Sequence, residues 1–401
     1  MSTKTILRYA LLVLLVAMLG ALAGWYFFLR TQTGATQSLD SARGFSAGGT
    51  NSVFGGPSNS GSGTSSTTSS QANAAEPPQL WRIATSPAAG IGFSTTTSGE
   101  RVRYAERATG YISEANPVTG MVTRLTNTLM AKTYEAIFAD NGVIERSIDQ
   151  NGGVTTFAAT VSVGTSTSLT GTSLSKNIQQ IAPDPSSGGV VYLSPSGSGI
   201  ALVSAAWDGT KTKTLFTSAL SGWRLSALAD GRKIIAQKAA DGLTGYAYVV
   251  SGGALSTLLS PLPGLTVLPR SGSSAIIFGM SSGAAPVLFV QSSASSSAVR
   301  LPIATIADKC LWAPGGQPVA YCAVPQTAVS SGFLDAWYRG ELHSSDAWWK
   351  VDANTGQAQL IFTSPSNEPV DVIDPVMDPG GEYIAFLNNT DRTPWLLRLN
   401  K

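Results

Sequence analysis

Past residue 80 the chain is written in short apolar runs. Segments rich in Val, Ile, Tyr, Phe and Trp are broken every 6 to 12 residues by Gly, Pro, Asn, Asp or Ser, the mark of strands joined by tight turns. Nowhere between Leu80 and Lys401 does an apolar spacing of three and four persist long enough for an extended amphipathic helix. The pattern predicts an all-β domain over residues 80–401.

The runs also repeat. LWAPGGQPVAYC at 311–322, VMDPGGEYIAFL at 376–387, IAPDPSSGGVVYLS at 181–194, LSALADGRKIIAQ at 225–237 and VLPRSGSSAIIFG at 267–279 share one design: an apolar strand, a turn of Pro, Asp, Gly or Ser, and a more apolar strand. A second hairpin follows each of the first, third, fourth and fifth of these, as in WWKVDANTGQAQLIFTS at 348–364, so a unit holds four strands. Weaker units occupy 101–127 and 134–161, which brings the count to seven. A period of roughly 40 to 65 residues with four strands per unit is that of a β-propeller. The expectation is seven blades, with six or eight still open because the first two matches are weak. The last unit, from about Val372, has room for three strands, and LWRIA at 80–84 is left over at the start. Pairing the two closes the ring and removes an exposed strand edge.

VMDPGGEYIAFL, LWAPGGQPVAYC and IAPDPSSGGVVYLS resemble the WD40-like repeats of TolB-type β-propellers, in which a Pro-Asp-Gly-type turn precedes an apolar strand. The resemblance covers most of 80–401. It implies the propeller fold and a habit of binding other proteins, and it carries over no catalytic residue. Two turns depart from it, with Ala313 and Arg270 where the pattern has Asp.

The only two cysteines, Cys310 and Cys322, stand equidistant from Gly316 within one predicted hairpin. Residues opposite each other on antiparallel strands bring their Cβ atoms within about 4.5 to 5.5 Å, so a cross-strand disulfide is expected, with two buried thiols as the alternative.

The N-terminus has a different pattern. Tyr9 to Leu29 is a run of 21 residues without a charge, enough at about 1.5 Å per residue to cross a hydrocarbon core. Lys4 and Arg8 precede it, which keeps residues 1–8 cytoplasmic. The reading is a single-pass signal anchor in the plasma membrane over 9–29, with the rest exported. Ala21-Leu22-Ala23 also fits a signal-peptidase site, but the apolar run continues past it through WYFFL. Residues 30–79 follow as a flexible tether: of residues 31–79, 26 of 49 are Ser, Thr or Gly, too few apolar groups to build a core.

Charge narrows the function. The chain has 26 Lys and Arg against 24 Asp and Glu, and three of the basic residues but no acid lie in the first thirty. The exported part is therefore close to neutral, without the clustered cations a nucleic-acid footprint needs. One histidine, His343, excludes a metal cage or triad built on two. Ser173-Leu174-Ser175-Lys176 matches S-x-x-K without the partner motifs of that enzyme class. Asp352 to Gly356 opens like a calcium loop, but Phe362-Thr363 fall where the distal Glu belongs. No catalytic residue, metal or cofactor is expected.

One segment stands apart. Residues 325–347 form an insertion between the second and third strands of the sixth unit. Phe333, Trp337 and Tyr338 lie there beside Asp335, Arg339, Glu341, His343 and Asp346, just before Trp348 and Trp349. Aromatic and Arg residues in one loop are the material of binding hot spots, and equally of a plug over the channel. The expectation is a non-enzymatic module of the cell envelope binding a partner protein or envelope polymer through these eight residues. A hydrolase, glycan-cleaving for instance, drawing on Asp335, Glu341 or Asp346 is the alternative.

Overall fold

The computed structural model describes residues 77–162 and 167–399. The expected stub, anchor and nearly all of the tether lie outside them; among the described residues no helix is long and apolar enough to cross a membrane. Seven four-stranded antiparallel sheets follow one another around a ring. Blades 1 to 6 span residues 88–124, 133–173, 180–218, 223–263, 266–300 and 310–363, each with its strands in sequence order. Blade 1 starts earlier than the sequence reading placed it, at the strand Ala88–Thr96.

Blade 7 supplies three strands from 372–398 and takes its outermost one from the start of the domain. Leu80, Trp81 and Arg82 pair with Leu397, Leu396 and Trp395. The Ile83 N–H donates to the Pro394 carbonyl at 2.9 Å, and the Arg82 guanidinium lies 5.3 Å from the Trp395 ring. The ring is thus closed by the expected strand.

The blades hold together through their faces. Second strands such as Tyr383–Asn388 are buried at every position, because a neighbouring blade covers each side; such strands read as continuous apolar runs. Seven apolar clusters, one per blade junction, make the ring. Gly90 shows how close the inner strands come, since a Cβ there would lie 1.7 Å from the Ala136 carbonyl oxygen.

The turns explain the two departures from the repeat. In blade 7 the Asp378 carboxylate accepts the N–H groups of Gly380, Glu382 and Tyr383, which holds the turn from within. The corresponding blade 6 turn has Ala313 and no carboxylate. Its carbonyls are held from outside: Arg270, from the blade 5 turn, donates to Gly315 at 2.5 Å and Gln317 at 2.9 Å, with Trp312 beside it. Both substitutions belong to one compensating contact. Within that same hairpin Cys310 faces Cys322 directly, and the two form the disulfide. Asp352 to Gly356 is a hairpin turn, with the Asn354 N–H donating to the Asp352 carboxylate.

Candidate functional site

The insertion of blade 6 leaves the strand Val319–Pro325 and returns at Asp346–Asp352. It contains one short helix, α1 (Phe333–Tyr338), entered through Gly332 at φ 75°, a left-handed conformation that glycine adopts without strain. The apolar side of α1 packs inward. Phe333, Leu334 and Trp337 are buried with Ile306, and Leu342 and Ile373 pack against them. Tyr338 turns toward the centre of the ring. Its hydroxyl donates to Asp308 at 2.7 Å, and Arg224, which is ion-paired with Asp308, lies 4.8 Å from its ring.

Polar contacts tie α1 to its neighbours. The Asp335 carboxylate accepts the Asp241 N–H at 2.8 Å, and Asp241 in turn accepts from Ser281 and Gly283. The insertion so joins the connections of blades 4 and 5 on the same face. Beneath α1 lies a buried ionic cluster. Lys309 Nζ donates to Asp346 Oδ2 at 2.6 Å, Asp371 Oδ1 at 2.5 Å and Ser344 Oγ at 2.8 Å, and all three charged side chains are 0% exposed. Asp371 also accepts from Trp337 Nε1, Ser344 Oγ and Asn389 Nδ2, with His343 Nδ1 3.1 Å away. Burial pushes the Asp371 carboxyl up, but the Lys309 charge and these donors hold it below its ordinary value. Asp346 has fewer partners, and burial dominates there, so its carboxyl is raised. Its Oδ1 has no hydrogen-bond partner.

The eight residues singled out in the sequence therefore divide. Phe333 and Trp337 are buried, Asp346 fully so; Asp335 and Tyr338 are half-buried and engaged below the surface. Arg339, Glu341 and His343 are exposed. Arg339 and Glu341 form a two-pronged ion pair at 2.8 Å through both contacts, which holds the Glu341 carboxyl low. Trp348 and Trp349 belong to the third strand, and Trp348 packs 5.5 Å from Phe386 in the junction of blades 6 and 7.

Below Tyr338 the channel holds two adjoining cavities of about 670 and 820 Å³, both lined by Glu135, Gln180, Lys238, Tyr338 and Asp374. Apart from Tyr338, sequence reasoning missed these residues. Asp374 adopts φ 52°, a costly conformation for a residue with a Cβ. Its side chain is exposed in the strand Val372–Met377, yet the surrounding strands desolvate the carboxyl and raise its pKa, opposed by Arg392 and added to by Glu135. The first strand of each blade lines the channel, so the signal lay in those strands, where polar residues interrupt apolar ones.

No family model and no curated protein matches the chain. Among solved structures, the β-propeller domain of the trilobed protease from Pyrococcus furiosus, described as having an open velcro topology, is similar over 78% of this chain and 98% of its own, at 10% identity and a TM-score of 0.51. An oligogalacturonate lyase in complex with manganese matches over 80% and 93%, at 9% identity and a TM-score of 0.48. TolB from Acinetobacter baumannii matches over 78% and 79%, at 13% identity and a TM-score of 0.41. The class is defined by the fold: a seven-bladed β-propeller of four-stranded blades, in this chain closed by its N-terminal strand. These likenesses extend to the fold alone.

Proposed function

We propose that the chain is a membrane-tethered propeller of the cell envelope that binds a partner protein or envelope polymer without catalysing a reaction, using the face crossed by the blade 6 insertion. The observation that carries this reading is the anchoring of α1. Buried aromatics and the Lys309 cluster fix the insertion over the channel mouth, so Arg339, Glu341 and His343 stand on a rigid support. Rigid presentation of polar groups lowers the ordering cost of association. The insertion's carboxylates are engaged by Arg339, Lys309 or a backbone N–H, an arrangement suited to a scaffold more than to acid–base work.

The test is capture from membranes of cells expressing the full chain, comparing the parent with a variant carrying Arg339→Ala and Glu341→Ala. Replacing the whole insertion would uncover Lys309 and Asp371, so surface substitutions are the informative change. Loss of the captured partner with unchanged thermal stability is expected. Recovery of the same partner by both proteins would refute the assignment of this face.

One observation favours a second reading, that of a hydrolase. The strained Asp374, its carboxyl raised by desolvation, lines the same channel cavities as Glu135, and two carboxyls in unlike surroundings are the material of acid–base pairs. Turnover of envelope glycans that Asp374→Asn abolishes would replace the binding reading with this one.

A further inference from the structure

Lys309 and Cys310 are adjacent in sequence, and each reaches a different strand of blade 6. Cys310 is bonded to Cys322 on the second strand, while Lys309 meets Asp346, the first residue of the third. The surroundings of Lys309 are those of a reaction site more than of a simple ion pair. Its Nζ lies 2.6 Å from Asp346 Oδ2, and a nitrogen so placed is beside Cγ, near the range of about 3 to 3.5 Å from which bond formation proceeds in rigid sites. The Val372 N–H donates to the same Oδ2 at 2.8 Å, where it stabilises negative charge developing on that oxygen. The other oxygen, Oδ1, is buried and unpartnered, as a leaving hydroxyl would be. A second carboxylate, Asp371, stands 2.5 Å from the attacking nitrogen. The Trp337 ring, 5.1 Å from Nζ, closes the pocket from above.

We propose that Lys309 and Asp346 condense in the folded protein to an intramolecular amide, with Asp371 relaying the proton. The Lys309 ammonium first gives one proton through Asp371 to Oδ1 of Asp346, which frees the Nζ lone pair to form a bond to Cγ. Nζ then passes a second proton through Asp371 to the same Oδ1, the Cγ–Oδ1 bond breaks, and the oxygen leaves with both protons as one water. Ammonium and carboxylate become amide and water, with no oxidant and no change in net charge. The driving force is local. An ion pair with both members at 0% exposure carries a desolvation penalty of several kcal/mol per ion, and a neutral amide removes it. The expulsion of water from the pocket opposes hydrolysis. The bond would fasten the connection between blades 5 and 6 to the base of the insertion, which goes beyond the binding role and does not depend on it.

Mass spectrometry of the intact chain tests this. After reduction of the disulfide, the folded parent protein is expected to weigh one water less than its sequence. Trypsin should leave Lys309 uncut and release a branched peptide joining it to the segment with Asp346. Lys309→Arg should carry its full sequence mass. Asp371→Asn should also carry full mass, because its amide cannot accept the proton; cross-linking at the parent level in this variant would overturn the relay. A folded parent protein at full sequence mass, cleaved by trypsin after Lys309, would overturn the proposal whatever the variants do.

Discussion

Glu145 is the sharpest test of the packing between blades. It sits on the second strand of blade 2 (Gly142–Ile148), is 0% exposed, and neither of its carboxylate oxygens has a hydrogen-bond partner. Two residues from Val143 on one strand, it faces the same junction with blade 1. Burial alone pushes its carboxyl from 4.5 up to about 8. The folded protein therefore keeps the proton across a range where the unfolded chain has lost it. A raised carboxyl is worth most to the fold below pH 4.5, and its contribution falls as the pH rises toward 8. At about 1.4 kcal/mol per pH unit, the fold loses up to about 5 kcal/mol over that window. Roughly 3 kcal/mol of this falls between pH 5 and 7.5. Glu145→Gln keeps the shape and removes the titration. In urea unfolding followed by tryptophan fluorescence, the stability of the variant minus that of the parent should rise by about 3 kcal/mol from pH 5 to 7.5. A difference that stays level across this range would mean that Glu145 meets solvent or a cation, and that the junction of blades 1 and 2 is not dry.

Two further outcomes follow from closure and cross-linking. Trp395 is 2% exposed, packs with Trp348 and Phe386, and donates its Nε1–H to Thr393; Trp395→Ala should cost about 3 to 5 kcal/mol and lower the thermal midpoint by differential scanning calorimetry. An unchanged midpoint would show that the closing blade does not support the ring. Reducing Cys310–Cys322, which closes a loop with a sequence separation of 12, should lower unfolding stability by about 3 kcal/mol. Equal urea midpoints with and without reductant would contradict that.

Much of the fold was legible because it is built from neighbours. Hairpins such as 311–322 and 376–387 carry their own turn chemistry, and the period of those turns sets the blade count. The pairing of Cys310 with Cys322 followed from equal distances to one turn. Even the long-range closure by Leu80–Arg82 was readable, since a blade lacking a strand and a strand lacking a blade leave one solution.

What the sequence determined by itself is thus periodic and local: strand, turn, repeat and register. Tertiary structure alone decided which face of the insertion is available. Phe333 and Trp337 have the same residue types in a hot spot as in a core, and only the approach of Ile306 and Ile373 buries them. Lys309 meets Asp346 and Asp371 across 37 and 62 residues of chain, and Asp374 meets Glu135 only because the ring brings blades 2 and 7 to one channel. Such encounters leave no periodic trace, because burial and charge at these positions are set by neighbours that closure of the ring supplies.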